Sequence, residues 1–264
     1  MSQHELPSVS GLPWQGVAYF CTTRQGGVSQ SSWASLNLGL HTADNAANVA
    51  ANRRTVRACL PGEPLWLDQV HGTHVVNADC FPELSQSHDM PAPTGDAAIT
   101  VVPNTVLAIM TADCLPVVLA NEEGSALGMA HAGWRGLCGG VLERTVNALR
   151  ASAPSSSGWR AWIGPGIGQR HFEVGPDVYH AFVDADPGAR IFFVQKTPSE
   201  KWLADLASLA RYRLHGAGVC NVELSGDCTY SRPDLFFSFR REPITGRQAT
   251  FAWLTEGDQV RGQG

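Results

Sequence analysis

The apolar residues of this chain come in short runs, and almost every run ends at Gly, Pro, Asn or Asp. Such runs predict β-strands, because an amphipathic helix needs a longer stretch with a period near 3.6 residues. The runs cover residues 17–22, 65–70, 74–78, 97–102, 106–112, 116–120, 126–130, 160–164, 191–194, 219–224 and 250–253. The chain is therefore expected to build most of its core from short strands.

Helical periodicity is confined to four longer stretches, residues 45–60, 134–152, 176–185 and 199–216. In the second of them, Leu137, Val141 and Leu149 fall on one face. Strands occur in clusters with helices between them, without the regular alternation of a doubly wound parallel fold. The predicted class is α+β with mixed sheets, in a single domain over residues 1–264 whose core spans about residues 16–254.

The composition excludes several classes of protein. Of the 264 residues, 44% are apolar and 16% are charged, and the formal net charge is −5. These values exclude intrinsic disorder and the basic balance of a dedicated nucleic-acid binder. No run approaches the roughly 18–20 apolar residues of a membrane span, and no signal peptide is evident. Seven cysteines without a C-x-x-C pair favour reduced thiols, so a soluble cytoplasmic protein is expected.

Three residues that can bind a soft or borderline metal follow apolar segments. His71 follows residues 65–70, Cys114 follows residues 106–112 and His131 follows residues 126–130. Each of these residues alone is more typical of packing or of an ordinary hydrogen bond. Two imidazoles and one thiolate from three elements form the kind of three-ligand set that holds catalytic zinc with a fourth position open. The same set can also take up copper.

Two arginines are candidates for binding an oxyanion. Arg53 lies in the first predicted helix, where a charged pair typically faces solvent. Arg135 follows His131 within H-A-G-W-R-G and would stand beside an open metal site. The glycine-rich run at residues 164–168 lacks the spacing of a phosphate-binding loop and is a weak nucleotide motif.

Taken together, six segments resemble the YfiH-like laccase-domain family, whose members are also described as multicopper polyphenol oxidases, purine nucleoside phosphorylases or peptidoglycan-editing factors. The segments are T-R-Q-G-G-V-S (23–29), S-L-N-L-G (35–39), Q-V-H-G (69–72), T-A-D-C-L-P (111–116), H-A-G-W-R-G (131–136) and G-P-G-I-G (164–168). They extend over most of the chain in the family's order. One departure is visible at residues 41–45, where H-T-A-D-N replaces the usual G-D-D-P run.

The resemblance implies an αββα arrangement of mixed sheets and a zinc site built by His71, Cys114 and His131. It also implies phosphorolysis of adenosine, guanosine, inosine and 5′-methylthioadenosine, and deamination of adenosine. The expected partners are then a purine nucleoside and phosphate, without nucleic acid or membrane. The oligomeric state and the physiological substrate are left open.

Roles for further residues follow as hypotheses from this activity. Arg53 and Arg135 would neutralise phosphate, and Asn37 and Gln69 would hydrogen-bond the ribose or the base. Asp113 would orient a ligand or accept a proton, or would simply form a turn.

Two other enzyme classes stay open. The nine histidines include no H-x-H pair, which argues against the copper centres of a true laccase, although a single copper-loaded site could oxidise phenols. A hydrolase or deamidase with Cys114 as nucleophile and His131 as base, acting on a cell-wall precursor, is the other alternative. His71 counts against it, because a Cys-His pair does not use a second imidazole. A non-enzymatic binding protein is the remaining possibility.

Overall fold

The computed structural model describes residues 6–81, 91–196, 198 and 200–256. The helices are α1 (Ala46–Arg57), α2 (Trp134–Gly139), α3 (Val141–Ser152), α4 (Pro176–Val183) and α5 (Leu206–Gly216). The strands are β1 (Ser8–Val9), β2 (Val17–Thr22), β3 (Pro64–Leu65), β4 (Val75–Asn77), β5 (Ala97–Thr100), β6 (Val106–Thr111), β7 (Leu115–Asn121), β8 (Leu127–Ala132), β9 (Trp159–Ile163), β10 (Glu173–Val174), β11 (Phe193–Lys196), β12 (Lys201–Ala204), β13 (Asn221–Leu224) and β14 (Gln248–Leu254).

The strands form two large sheets and one small one. A five-stranded sheet has the order β1-β2-β14-β6-β3, and a six-stranded sheet has the order β13-β9-β7-β8-β5-β4. A three-stranded antiparallel sheet has the order β10-β12-β11. Both large sheets are mixed, because β3 runs parallel to β6 in one, and β4–β5 and β9–β13 are parallel pairs in the other.

The two large sheets pack face to face between helices. Along β6, Leu107 and Ile109 belong to a cluster shared with Val118 and Met129 of the six-stranded sheet. Their neighbours Val106, Ala108 and Met110 point the other way, into a cluster that includes Val56 of α1 and Leu60. This period of two explains how one short strand contributes to two apolar layers.

The central strand β7 is buried on both faces. Val117 and Leu119 pack with the side chains of α3, α4 and α5, whereas Val118 and Ala120 face the five-stranded sheet. The layers therefore run from α1 through two sheets to the other long helices. The predicted α+β class and its αββα arrangement of mixed sheets are confirmed.

Two predicted helices differ from the structure. The stretch 134–152 is divided into α2 and α3 by Gly140, whose φ of 92° is left-handed and ends the first helix. In the stretch 199–216, the helix begins only after Asp205, whose side chain caps the amide of Ser208 at 3.0 Å. The residues before it form β12, which pairs with β11; Ser199 itself lies outside the described residues.

Two strand ends near the candidate ligands also differ. The predicted strand 65–70 joins a ladder only at Leu65, after which the chain continues outside a ladder to His71. His131 lies inside β8 and not beyond its end, because the strand continues to Ala132. All seven cysteines have free thiols. Within the part of the chain that the structure describes, no helix is long and apolar enough to cross a membrane.

Candidate metal centre and active-site cavity

The turn between β6 and β7 carries Cys114. β6 ends at Thr111 and β7 begins at Leu115, so three residues reverse the chain. Asp113 makes this possible by adopting a left-handed φ of 91°, which is uncommon outside glycine. Its carbonyl oxygen accepts a hydrogen bond from the amide of Ile167 at 2.8 Å. The position of Cys114 is therefore fixed by a strand on each side and by a strained corner.

A buried carboxylate, Asp96, contacts the imidazole of His131 and the backbone of His71. It accepts hydrogen bonds from the amides of Val70, His71 and Gly72 at 3.2, 2.9 and 2.6 Å. Its Oδ1 lies 2.8 Å from Nδ1 of His131. Burial opposes the charged form of Asp96, but the bonds from His131 and Gly72 bring its pKa below the usual value. This contact directs the other ring nitrogen of His131 away from the carboxylate, as in many metal sites.

The three predicted ligands come together. The ligand atoms of His71, Cys114 and His131 all lie within 4.8 Å of one another. Nε2 of His71 is 3.9 Å from Sγ of Cys114, and the two imidazole rings are 4.8 Å apart between centroids. A Cβ on Gly133 would lie 2.8 Å from that sulfur, so glycine leaves the space that the group needs. His131 is buried and His71 is exposed, so the centre is open on one side.

The electrostatics of this group favour a thiolate at Cys114 beside a protonated His131, which would release its proton on binding a metal. Burial raises the pKa of Cys114, but His131 and His71 outweigh it and lower that pKa to about 6. Burial likewise lowers the pKa of His131, yet Cys114 and Asp96 raise it to about 9. The sulfur is thus held as a thiolate, which is the form that binds metals. A divalent cation with one thiolate and two imidazole ligands fits this donor set, and zinc and copper both use it.

The candidate centre opens into a cavity of about 610 Å³. Its walls combine the candidate ligands with three guanidinium groups, aromatic rings and a further histidine. The lining residues are His41, Leu67, Asp68, Gln69, His71, Met110, Thr111, Ala112, Asp113, Cys114, His131, Trp134, Arg135, Ile167, Phe172, Phe239, Arg240 and Arg247. A cavity of this size holds a small organic molecule together with an inorganic anion.

Three of the other predicted site residues line the cavity. Arg135 is exposed and stacks over Trp134, 4.4 Å from the ring centroid. The amide side chain of Gln69 is occupied, because it donates to the carbonyl of Met110 at 2.9 Å and accepts from its amide at 2.8 Å. Both carboxylate oxygens of Asp113 are also occupied, because Oδ1 accepts from the hydroxyl of Thr229 at 2.6 Å and Oδ2 from the amide of Arg240 at 2.7 Å. Of the three, Arg135 has the side chain most accessible to a ligand.

Arg53 does not line the cavity. Its guanidinium packs over Trp66 at 3.8 Å and donates to the carbonyl of Leu38 at 3.0 Å. Burial lowers its pKa to about 10. The predicted solvated face of the first helix is therefore a packed contact at this position, and the expected direct contact with phosphate has no support in the geometry.

Asn37 is also remote from the cavity surface. It is completely buried, and its Nδ2 donates to Thr42 at 2.8 Å and to Asp44 at 3.0 Å. Its Oδ1 accepts from the amides of Gly39 at 3.0 Å and Arg247 at 2.9 Å. The side chain thus organises the chain around residues 37–44, and no atom of it is left to bind ribose directly.

Several residues of the site were not predicted. Asp96 precedes a buried strand, and only its place before an apolar run could have indicated a role. Phe239, Arg240 and Arg247 belong to residues 225–247, where no helix or strand forms and no periodic pattern exists. His41 lies in the segment that departs from the family pattern. The long irregular segment gives no sequence signal for which of its side chains face the site.

Fold and site together define a layered α+β protein with a His-Cys-His centre in an arginine-lined cavity. The family model described as multi-copper polyphenol oxidoreductase laccase matches residues 18–255. The chain belongs to this YfiH-like laccase-domain family, as the sequence motifs predicted.

Named relatives and solved structures agree with this assignment. The Escherichia coli protein named purine nucleoside phosphorylase YfiH is 45% identical over 242 residues, 91% of this chain and 95% of the relative. A purine nucleoside phosphorylase of Xylella fastidiosa is 47% identical over 250 residues, 92% and 94% of the two chains. A crystal structure of a Neisseria meningitidis protein superposes with a TM-score of 0.86 at 40% identity, covering 95% of this chain and 99% of that one. YlmD of Geobacillus stearothermophilus gives 0.84 at 29% identity, covering 93% and 94%.

Proposed function

We propose that this protein is a zinc-dependent purine nucleoside phosphorylase that also deaminates adenosine. The observation that carries the proposal is the opening of the His71, Cys114 and His131 group into one cavity that is also lined by guanidinium groups. Phosphorolysis needs a place for an anion beside a place for a neutral nucleoside. The names of the relatives support the same reaction class. Adenosine, guanosine, inosine and 5′-methylthioadenosine are the proposed nucleosides.

His71, Cys114 and His131 would hold the metal, and Asp96 would fix the orientation of His131. When bound, the metal would supply Lewis acidity beside the substrate. His71 is the exposed member of the set, and Asp96 holds its backbone by the hydrogen bond to its amide. The chain's own contribution is thus a fixed set of donors with one open side.

Residues around the cavity would bind and orient the substrates. Arg135 would neutralise an oxygen of phosphate at the exposed edge. In phosphorolysis a phosphate oxygen forms a bond to C1′ while the bond from C1′ to the purine nitrogen breaks, and the purine leaves with the electron pair. In deamination an oxygen derived from water replaces the 6-amino group, which leaves as ammonia. Phe172 and Phe239 offer apolar faces against which a purine can pack.

A second function is favoured by a separate observation. Asp96 contacts Nδ1 of His131, and His131 together with His71 lowers the pKa of Cys114 to about 6, as in a cysteine hydrolase. In this alternative, Cys114 would attack the carbonyl carbon of an amide, His131 would give a proton to the departing amine, and water would then release the acyl group from the sulfur. His71, 3.9 Å from the same sulfur, favours the metal interpretation over it.

Oxidation of phenols by a copper-loaded centre is a third possibility, in keeping with the description of the family. Among the described residues, one group of three or more potential ligands is found, whereas the family description refers to several copper ions. We propose that any such oxidation follows from copper uptake at this single centre.

Metal content and product analysis test the proposal. Protein purified without added metal should contain about one zinc ion per chain. Adenosine with phosphate should give adenine and ribose 1-phosphate, and adenosine without phosphate should give inosine and ammonia. Cys114→Ala should remove the metal and both activities, and Cys220→Ala, which alters an exposed thiol elsewhere, should retain them. Full nucleoside activity in Cys114→Ala after chelation would refute the metal-dependent mechanism. Rapid alkylation of Cys114 in protein as purified would favour the hydrolase instead.

A further inference from the structure

Two arginines of the cavity share an unusual form of anchoring. Arg240 and Arg247 both lie in the irregular segment 225–247, and both have a backbone amide held by a buried polar side chain from elsewhere in the fold. The amide of Arg240 donates to Oδ2 of Asp113 at 2.7 Å, and the amide of Arg247 donates to Oδ1 of Asn37 at 2.9 Å. Asn37 is fully buried and Asp113 is 8% exposed. These bonds determine where each arginine's Cα lies relative to the candidate metal centre.

The guanidinium of Arg247 is half-buried, lies 5.9 Å from the ring centroid of Phe239 and is only partly hydrogen-bonded. Its Nη1 donates to the carbonyls of Thr245 and Gly246 at 3.2 and 2.9 Å. Within the described residues its Nε and Nη2 have no hydrogen-bond acceptor, and no carboxylate lies within ion-pair distance. The N–H groups that are left free can therefore donate to an anion in the adjoining space.

The position of Arg247 shows that the adjoining space is the candidate active-site cavity. Arg247 lines the same cavity as the metal ligands and is close enough for the charges of Cys114 and Asp113 to act on it. Burial lowers its pKa, and these two negative groups raise it. A Cβ on Gly39 would lie 2.9 Å from Cγ of Arg247, so the glycine lets the arginine stem pass. The planar guanidinium is the group best suited to bind two oxygens of a phosphate.

We infer that Arg247, with Arg240 beside it, forms a phosphate-binding subsite of the cavity, and that Asn37 and Asp113 are its positioning residues. The inference rests on the proposed function for the identity of the anion. Arg247 is the main contact, since Arg240 is exposed and already donates to the carbonyl of Glu173 at 2.8 Å. Asn37 then acts two steps from the substrate, through the backbone of Arg247.

The test is calorimetric titration of the metal-loaded protein with inorganic phosphate, without any nucleoside. Arg247→Met should weaken phosphate binding by about ten- to a hundredfold, as expected for loss of a charge-assisted pair of hydrogen bonds. Arg247→Lys should lose most of the same affinity because lysine keeps the charge but lacks the planar pair of N–H donors. Arg211→Met removes one exposed positive charge from α5 and should leave the affinity unchanged. Affinity equal to wild type in Arg247→Met would overturn the subsite.

Two further measurements separate the possible outcomes. Adenosine 5′-monophosphate is titrated in parallel; if it alone shows dependence on Arg247, the subsite holds the phosphate of a nucleotide, and assignment to inorganic phosphate is overturned.

Asn37→Ala should weaken phosphate binding about tenfold with full zinc content, and equal losses of zinc and phosphate would reduce Asn37 to a purely structural role. Phosphate bound through Arg247 without any phosphorolysis would refute the proposed reaction and retain the subsite. Phosphorolysis with an unchanged KM for phosphate in Arg247→Met would retain the proposed reaction and refute the subsite.

Discussion

The two sides of the cavity are held in place by different kinds of structure. On the metal side, His131 lies within β8, opposite Pro116 of β7, and Asp96 leads directly into β5. These three strands are neighbours in one sheet. On the opposite side, Arg240 and Arg247 belong to a segment without helix or strand. Ladder hydrogen bonds fix His131 on the first side, whereas isolated side-chain and backbone bonds, such as that from the amide of Leu38 to the carbonyl of Arg247 at 3.0 Å, fix the second.

This difference has a consequence for mutation. A residue inside a sheet has its position determined many times over, so a changed side chain alters chemistry more than geometry. The arginine side depends on few bonds, such as Asp113 to the amide of Arg240 and Arg241 to the carbonyls of Thr229 and Phe236 at 2.7 and 2.8 Å. Changes there should move the anion-binding groups without disturbing the metal ligands.

Removal of a metal ligand should have the largest effect on function with little effect on the fold. In Cys114→Ala we expect loss of bound zinc and a fall in phosphorolysis of more than about a hundredfold, because even changes outside the ligand set typically cost 10–100-fold. Elemental analysis and ribose 1-phosphate formation measure the two effects. Far-ultraviolet circular dichroism should match wild type, since β6 and β7 keep their ladders. Retained zinc at one ion per chain would contradict the ligand assignment.

Asp96→Asn should have the next largest effect and should act on the imidazole of His131 and on the backbone of His71 together. The amide side chain keeps the shape but cannot stabilise His131 in the same way, so zinc affinity should fall by roughly 10–100-fold. Competition with a chromophoric chelator measures the affinity. Asp79→Asn is a matched control, because Asp79 also accepts hydrogen bonds from an amide and a hydroxyl, those of Val101 and Thr100, away from the centre. Equal zinc affinity in wild type and Asp96→Asn would show that Asp96 only holds the turn at His71.

The same contrast explains which parts of the fold could be predicted. Residues 17–22 form β2 with the predicted bounds, since an apolar run in a sheet is a local signal. The spacing of Leu203 and Leu206 is compatible with a helix, but pairing of β12 with β11 decides the conformation before Asp205. The cap at Asp205 is a local signal, and the ladder between β11 and β12 is a tertiary one. The sequence by itself indicates only the cap and the first helical turn after it.

The site could be predicted on the metal side and much less on the arginine side. His71, Cys114 and His131 are rare residue types beside apolar runs, and the family motifs that contain them indicate one ligand set. Arg247 is one of many arginines, and long-range backbone bonds to Asn37 and Leu38 hold it at the cavity. Asn37 was expected at the substrate and instead supports this arginine. Such long-range pairings leave no periodic trace in a single sequence.

The pKa of His41 gives a smaller test, because Arg247 in the cavity and Arg53 in α1 both act on it through their charges. Burial lowers the pKa of His41, and the positive charges of Arg247 and Arg53 lower it further, while Asp68 raises it. Removal of a neighbouring positive charge favours the protonated imidazole, so Arg247→Met should raise the pKa of His41, and Arg53→Met should raise it less. Proton NMR of the histidine Cε1 resonances against pH measures both shifts. An unchanged pKa of His41 in Arg247→Met would place that guanidinium away from His41.

Arg53 should show the smallest functional effect, although the sequence pointed to it as a phosphate ligand. Its guanidinium is packed on Trp66 and bonded to the carbonyl of Leu38, so its loss removes a buried contact in the layer of α1. Arg53→Met should lower the free energy of unfolding by about 1 kcal/mol, as measured by urea denaturation. Its affinity for phosphate should remain within about twofold of wild type, because a 1 kcal/mol loss of fold stability does not alter a site that stays folded. A tenfold loss of phosphate affinity in this variant, with Arg247→Met unaffected, would return the anion-binding role to the helix and remove it from the loop.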